Sequence, residues 1–230
     1  MLSSLLKVRI IEIERARNIF SRKFTTQDHH LLKTLDQYYK NSNICIHDTH
    51  LYKYHKTFQP QDQISALGLK DKCRTSLMVF QNPWGFANLS SQKKNIYNSQ
   101  FCGPSSDEII ANEFNKIISL YLSIKENCFK YFSRNGVLGG YYLHSTERKK
   151  VFVVTQGNHR ISVLKYLGHR YVPVYTMKGY LEHVYESQVD SWFAVKNGQC
   201  SRVDALRIFH TYFWLWLLVK KIKVKKICFE

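Results

Sequence analysis

The segment that most limits what this chain can become is residues 151–175, VFVVTQGNHRISVLKYLGHRYVPVY. VFVVT (151–155) is short, apolar and β-branched, the composition of a buried strand. Gln156-Gly157 breaks it, and a helix is expected from about 158 to 167, with Gly168 as its C-terminal stop. YVPVYT (171–176) reads as another strand, and Pro173 puts it at an edge or a bulge. The turn aims the backbone N–H groups of Gly157, Asn158 and His159 outward, at the positive end of the helix dipole. Arg160 adds a guanidinium fork suited to phosphate, and His159 is a donor or a proton carrier near neutral pH. These four residues make a candidate anion site. A strand–glycine–helix turn is also common in proteins where its arginine is merely solvated.

The flanking sequence extends the α+β pattern. Ser105 with Glu108 has the spacing of a capping box, opening a helix to about 126. Ile110, Phe114, Ile117, Tyr121 and Ile124 give that helix one apolar face. VLGGYYL (137–143) reads as a strand with a glycine kink, and STERKK (145–150) as a polar turn. Residues 1–24 show Leu6, Ile10, Ile13, Ala16 and Phe20 at helical spacing, with basic residues between them, and predict an amphipathic helix. A short strand is expected within 44–54, a turn anchored by Trp84 at 81–86, and a helix near 184–196. Ser201 and Asp204 cap another helix before VDALRIFHTYF. The end, FWLWLLVKKIKVKKICFE, sets tryptophans beside a lysine cluster, which suits either an anionic membrane surface or a core-docking helix with a basic end.

Composition narrows the class. Aromatics at 14% rule out wholesale disorder, and no run of about 18 uncharged apolar residues occurs that would span a bilayer. The formal charge of +17 attracts polyanions without saying which. The start, MLSSLLKVRIIEIER, carries charges every few residues and lacks the apolar core of a secretory leader. No two of Cys45, Cys73, Cys102, Cys128, Cys200 and Cys228 form a C-x-x-C pair, which excludes a zinc ribbon and favours reduced thiols in a cytosolic protein. His47, Asp48, His50 and His55 have a metal-site look, but with 10 histidines in the chain a chance cluster is the simpler reading.

The 151–175 segment resembles the ParB/sulfiredoxin-like superfamily, in which a strand runs into a G-x-x-R-type turn that opens a helix and grips nucleotide phosphates. LYLSIKENCF (120–129) is similar to that family's L-x-x-S-I-x-x-x-G helix end, with Ser123 and Ile124 in place and Cys128 where the glycine belongs. The resemblance covers residues 101–176. It implies an α+β fold: a small mixed sheet with surrounding helices at 101–178, an N-terminal extension over 1–100, and C-terminal helices with a basic aromatic tail over 179–230. It also separates activities. Asn158 stands where sulfiredoxins carry their reactive cysteine, which argues against sulfinate reduction. No persuasive DNA-reading helix-turn-helix follows residue 176, so duplex DNA ranks below nucleotide as a partner. The Gly157-Asn158-His159-Arg160 turn is compatible with the branch that phosphorylates hydroxyl substrates. FCGP, the capped helix, S-I and G-N-H-R together are similar to a subgroup associated with surface-polysaccharide assembly.

The resemblance therefore implies ATP or CTP with Mg²⁺, bound by Gly157, Asn158, His159 and Arg160, and a hydroxyl-bearing or glycan acceptor. A carboxylate would take the hydroxyl proton or hold the metal, and Glu113 and Glu126 are the candidates beside His159; Glu108 is explained by capping. FCGP would supply a second, substrate-facing loop with Cys102, Gly103 and Ser105. A location in the cytoplasm, peripheral at the inner face of the membrane through 213–230, would follow. A non-catalytic ParB-type nucleotide- or DNA-binding module is the alternative.

Overall fold

The computed structural model describes residues 8–69, 75–85, 101–129, 136–176 and 181–213. It is α+β, as expected: a curled mixed sheet with helices on both faces. The strands are β1 (Arg9–Glu12), β2 (Ala16–Asn18), β3 (Leu138–His144), β4 (Lys150–Gln156), β5 (Tyr171–Thr176) and β6 (His183–Tyr185). Their order is β1-β5-β3-β4-β2. β3 and β4 form an antiparallel hairpin, and β5 then β6 pair parallel with successive halves of β3. β1 and β2 lie on opposite edges yet are joined only by a single 3-10 turn at Ile13–Arg15. That short link curls the sheet into a half-barrel.

The amphipathic helix expected over 1–24 is corrected over its described part, residues 1–7 lying outside the described residues: Arg9–Glu12 and Ala16–Asn18 are short strands, β1 paired to β5 and β2 to β4. Pairing with strands far along the chain outweighs a local spacing that suits a helix almost as well. The strand expected within 44–54 is instead a 3-10 turn, Ile46–Asp48, leading to a helix. Pro173 is not on an edge strand: it faces Ile10 of β1, just ahead of the ladder to β3, which begins at Val174. The helix expected over 184–196 is replaced by β6, a 3-10 segment (Glu186–Ser191) and one helical turn.

The helices are α1 (His30–Lys40), α2 (His50–Thr57), α3 (Gln63–Ala66), α4 (Asp107–Asn127), α5 (Asn158–Tyr166), α6 (Phe193–Lys196) and α7 (Arg202–Thr211). α4 and α5 begin and end close to where the sequence puts them. The α4 cap, however, is Ser106, whose hydroxyl accepts from Ile109 N–H, rather than Ser105. Cys128, which follows α4, adopts φ 57°, ψ 161°. That is backbone space which favours glycine. α7 is capped as expected, with the Ser201 hydroxyl accepting from Asp204 N–H.

The two faces of the sheet build two cores. Leu138, Tyr142, Phe152, Val154, Val172 and Val174 pack against α1, α2, α4 and α5. Tyr141, Leu143, Val151 and Val153 face the C-terminal layer, where Trp84, Trp192, Phe209 and Tyr212 meet. The alternation along β3 and β4 is the period-two pattern of a sheet covered on both sides. Each fully buried Leu, Ile or Phe adds about 1.5–3 kcal/mol of hydrophobic stabilisation. Trp84 is the anchor that the sequence indicated, with its ring centroid 5.4 Å from that of Trp192 and 5.9 Å from that of Tyr212. Residues 214–230 of the basic aromatic tail lie outside the described residues.

Candidate functional site

At the C-terminal end of β4 the chain turns at Gly157, which takes φ 98° and opens α5. This left-handed turn needs glycine, and a side chain there would also press against Leu138. Above the turn lies a cavity of about 180 Å³. Its wall joins four distant parts of the chain: Asn18 to Phe20 after β2, His29 and His30 at the start of α1, Tyr54 and His55 on α2, and Glu113 on α4. Thr155, Gln156, Gly157, Asn158 and His159 complete it.

Glu113 sits on the apolar face of α4 and is only 3% exposed. A carboxylate buried this way must be paired or lose its charge. Its Oε1 accepts from Lys116 Nζ at 2.7 Å, and its Oε2 lies 2.9 Å from His159 Nε2. The approach of the imidazole is oblique, so Nε2 makes an ion contact without an in-line hydrogen bond. Burial acts to raise the Glu113 pKa, but His159 and Lys116 overcome it and hold the group down at about 2. Glu113 is therefore a fixed anion, too weakly basic to act as a proton acceptor near neutrality.

The histidines opposite are kept neutral. His29 caps α1 by accepting Leu31 N–H on Nδ1, at 3.4 Å. Burial, then the Arg22 and His159 charges, pushes its pKa down to about 3. A neutral imidazole that accepts on Nδ1 carries its proton on Nε2. His29 Nε2–H is thus a buried donor, and it has no partner among the described residues. Burial likewise drives His30 far below the ordinary imidazole range, with neighbouring His29, His55 and His159 adding to the effect. His30 stacks on Tyr54 with ring centroids 3.7 Å apart.

Of the buried side-chain polar atoms without hydrogen-bond partners among the described residues, His29 Nε2, His30 Nδ1 and Asn158 Oδ1 belong to this one wall, and His159 Nε2 there meets only the Glu113 carboxylate. Such atoms are costly to bury unless something meets them. Their convergence marks a place built for a polar ligand or ordered water.

The other residues singled out in the sequence stand differently. Arg160 is half-buried beside Gly157, and its Nη1 donates to the Val137 carbonyl at 3.1 Å, outside the cavity wall. Burial lowers its pKa. Glu126 is exposed near the end of α4, roughly 20 Å along the helix axis from Glu113. Cys102, Gly103 and Ser105 stand behind the wall, not in it. Gly103 N–H donates to Phe58 O, Ser105 N–H donates to His55 O, and Ser105 Oγ is 3.1 Å from His55 Nδ1. A Cβ on Gly103 would lie 1.8 Å from the His55 carbonyl oxygen. The loop thus clamps α2 and orients His55. Phe101 alone of FCGP reaches the cavity. His47 and His50, grouped with His55 by sequence, lie outside the wall, and among the described residues no group of three His, Cys, Asp or Glu could hold a metal ion. Among the described residues, Cys45, Cys102, Cys128 and Cys200 are in no disulfide.

Sequence reasoning missed His29 and His30. The adjacent His29-His30 pair was the available signal, but nothing local to it indicates that it meets Gly157.

No family model matches the chain, and no curated protein matches it.

Proposed function

We propose that the chain binds a nucleotide through its phosphates in the cavity above Gly157 and transfers a phosphoryl group to a hydroxyl-bearing acceptor. The observation that carries this reading is the set of buried polar atoms without hydrogen-bond partners, His29 Nε2, His30 Nδ1 and Asn158 Oδ1, that lines the cavity at the start of α5. A helix start offers free N–H groups and a positive dipole end, and His29 Nε2–H is a further neutral donor beside it. The Cys128 conformation, at the position where the ParB/sulfiredoxin pattern has glycine, supports the likeness on which nucleotide binding rests.

In this reading Glu113 does not take the proton. Its carboxylate, 2.9 Å from Nε2, fixes the His159 ring by that contact, and this reading requires the neutral tautomer with its lone pair on Nδ1. His159 would then receive the acceptor's hydroxyl proton as that oxygen bonds to phosphorus and the nucleotide's bridging P–O bond breaks. The bound nucleotide supplies the transferable phosphoryl group. Since no three-residue metal cage exists among the described residues, Mg²⁺ would arrive on the phosphates themselves.

The test is isothermal titration of ATP and of CTP, with magnesium, into the wild type and His159→Asn. Saturable binding of one nucleotide, weakened at least about tenfold in the variant, is expected. A folded wild type that binds neither nucleotide would overturn the proposal. Binding with no phosphate transfer or release would instead favour a nucleotide-gated module without turnover, a reading that the weakly basic Glu113 also suits.

A further inference from the structure

A second concavity lies at the other end of β4. Lys150 begins the strand and Gln156 ends it, so the two mouths are separated by roughly 20 Å of extended chain. This one, of about 390 Å³, forms where the curled sheet brings β1 and its 3-10 turn up to β3 and β4. Arg9, Arg15, Lys150 and one carboxylate, Glu12, line it together with the rings of Tyr142, Phe152 and Tyr171.

Its charges are unbalanced. Glu12 contacts both Arg15, at 3.2 Å, and Arg170, at 3.0 Å. Glu182 lies 3.6 Å from Arg9 and 3.5 Å from His183. Lys150 has no carboxylate within ion-pair distance among the described residues; its Nζ sits 3.7 Å above the centroid of the Tyr142 ring. The negative face of the ring takes the place of a counter-ion. Arg9 approaches the same ring at 5.5 Å. Burial, and then the Arg9 and Arg15 charges, pushes the Lys150 pKa down. Burial, His183, Lys150 and Arg9 in turn hold neighbouring His144 down at about 4. Cations crowded in a partly dry pocket, without enough carboxylates, are the electrostatic counterpart of a missing anion.

The pocket is also aromatic. Tyr142 and Phe152 are buried at its floor, while Tyr171 is 47% exposed at its rim. We propose that this pocket is a second ligand site, separate from the α5 cavity, which takes a phosphorylated ring such as a sugar phosphate. The phosphate would lie between Lys150, Arg9 and Arg15, and the apolar face of the ring against Tyr171. A guanidinium fork and an ammonium together suit a phosphate's several oxygens.

The experiment is isothermal titration of glucose 1-phosphate, inorganic phosphate and glucose into the full chain at physiological salt. Glucose 1-phosphate is expected to bind best, inorganic phosphate more weakly, and glucose not at all. Lys150→Met should weaken glucose 1-phosphate at least about tenfold, Lys150→Arg should retain it, and Tyr171→Ala should reduce it to the level of inorganic phosphate. His159→Asn should leave it unchanged. Failure of glucose 1-phosphate to bind at about 10 mM would overturn the proposal. So would binding that Lys150→Met leaves intact, or binding that His159→Asn abolishes, since the latter would put the phosphate in the α5 cavity.

Discussion

The imidazole Nε2 of His159 lies 2.9 Å from the carboxylate Oε2 of Glu113, and this contact ties the first turn of α5 to the middle of α4. Glu113 is the buried partner, His159 the partly exposed one. Glu113→Gln keeps the shape and removes the charge. Glu113 is held at about 2, below its ordinary 4.5, so its contribution is fully present above pH 4.5 and is lost as pH falls toward 2. That contribution is on the order of 3 kcal/mol. Urea unfolding at pH 7 should show Glu113→Gln destabilised by a comparable amount, with the gap to wild type closing below pH 4.5. A gap that stays constant down to pH 2 would mean that the carboxylate is not held ionised by this pair.

The buried histidines impose a second pH dependence, in a higher window. His29 has its pKa depressed to about 3, and burial lowers His30 and His55 as well. The unfolded chain takes up these protons near pH 6.5, while the folded chain resists them. Stability is therefore full above pH 6.5 and falls as the pH drops from there toward 3. His29→Phe removes one such group and keeps a ring in the stack with Phe24 and His30. Its urea midpoint should decline less between pH 6.5 and 5 than that of the wild type; an identical decline would count against a neutral buried His29.

Gly103 tests whether FCGP is scaffold. Any side chain there meets the His55 carbonyl oxygen at 1.8 Å, a backbone atom that cannot swing aside. Gly103→Ala should lower stability by about 3 kcal/mol, the upper end of the usual cost of overpacking. It should also displace His55, read as a change in the histidine ring resonances by NMR. Wild-type melting behaviour would show that α2 is not clamped by this loop.

Arg160 separates a structural guanidinium from a ligand-binding one. Its hydrogen bond to the Val137 carbonyl predicts that Arg160→Ala costs about 1 kcal/mol of stability, with exchange protection reduced near Leu138 at the start of β3. Nucleotide binding should fall less in this variant than in His159→Asn. If binding is lost with stability unchanged, the side chain must leave Val137 for the phosphates when ligand enters.

Where the sequence was legible, the signal was local. The apolar face of α4, the Gly157 turn, the β-branched run of β4 and the Ser201 cap each depend on residues a few positions apart. The chemistry carried by Glu113, Gly157, Asn158 and His159 could be nominated because those residues sit on such elements, and the fold brings all of them to one cavity. Glu113, three residues after Ile110 and four before Ile117, falls on the apolar face of α4, and Glu126, two after Ile124, on the opposite one, so helical spacing alone could have separated them. Arg160 was readable as a phosphate fork by composition alone; its hydrogen bond to Val137 joins α5 to the residue before β3, 23 positions back in the chain.

The sequence by itself determined an α+β chain with a glycine-opened helix following a buried strand, because hydrophobic period, glycine conformation and cap chemistry are properties of short stretches. Tertiary structure alone decided that Arg9–Glu12 and Ala16–Asn18 are strands, since their ladders are formed with residues beyond 150. It also decided that His29, His30 and Tyr54 face Gly157, and that Arg9, Arg15 and Lys150 share one pocket. Neither gathering has a local signature: each depends on the short Ile13–Arg15 link that curls the sheet, and thus on which distant surfaces the closed sheet brings together.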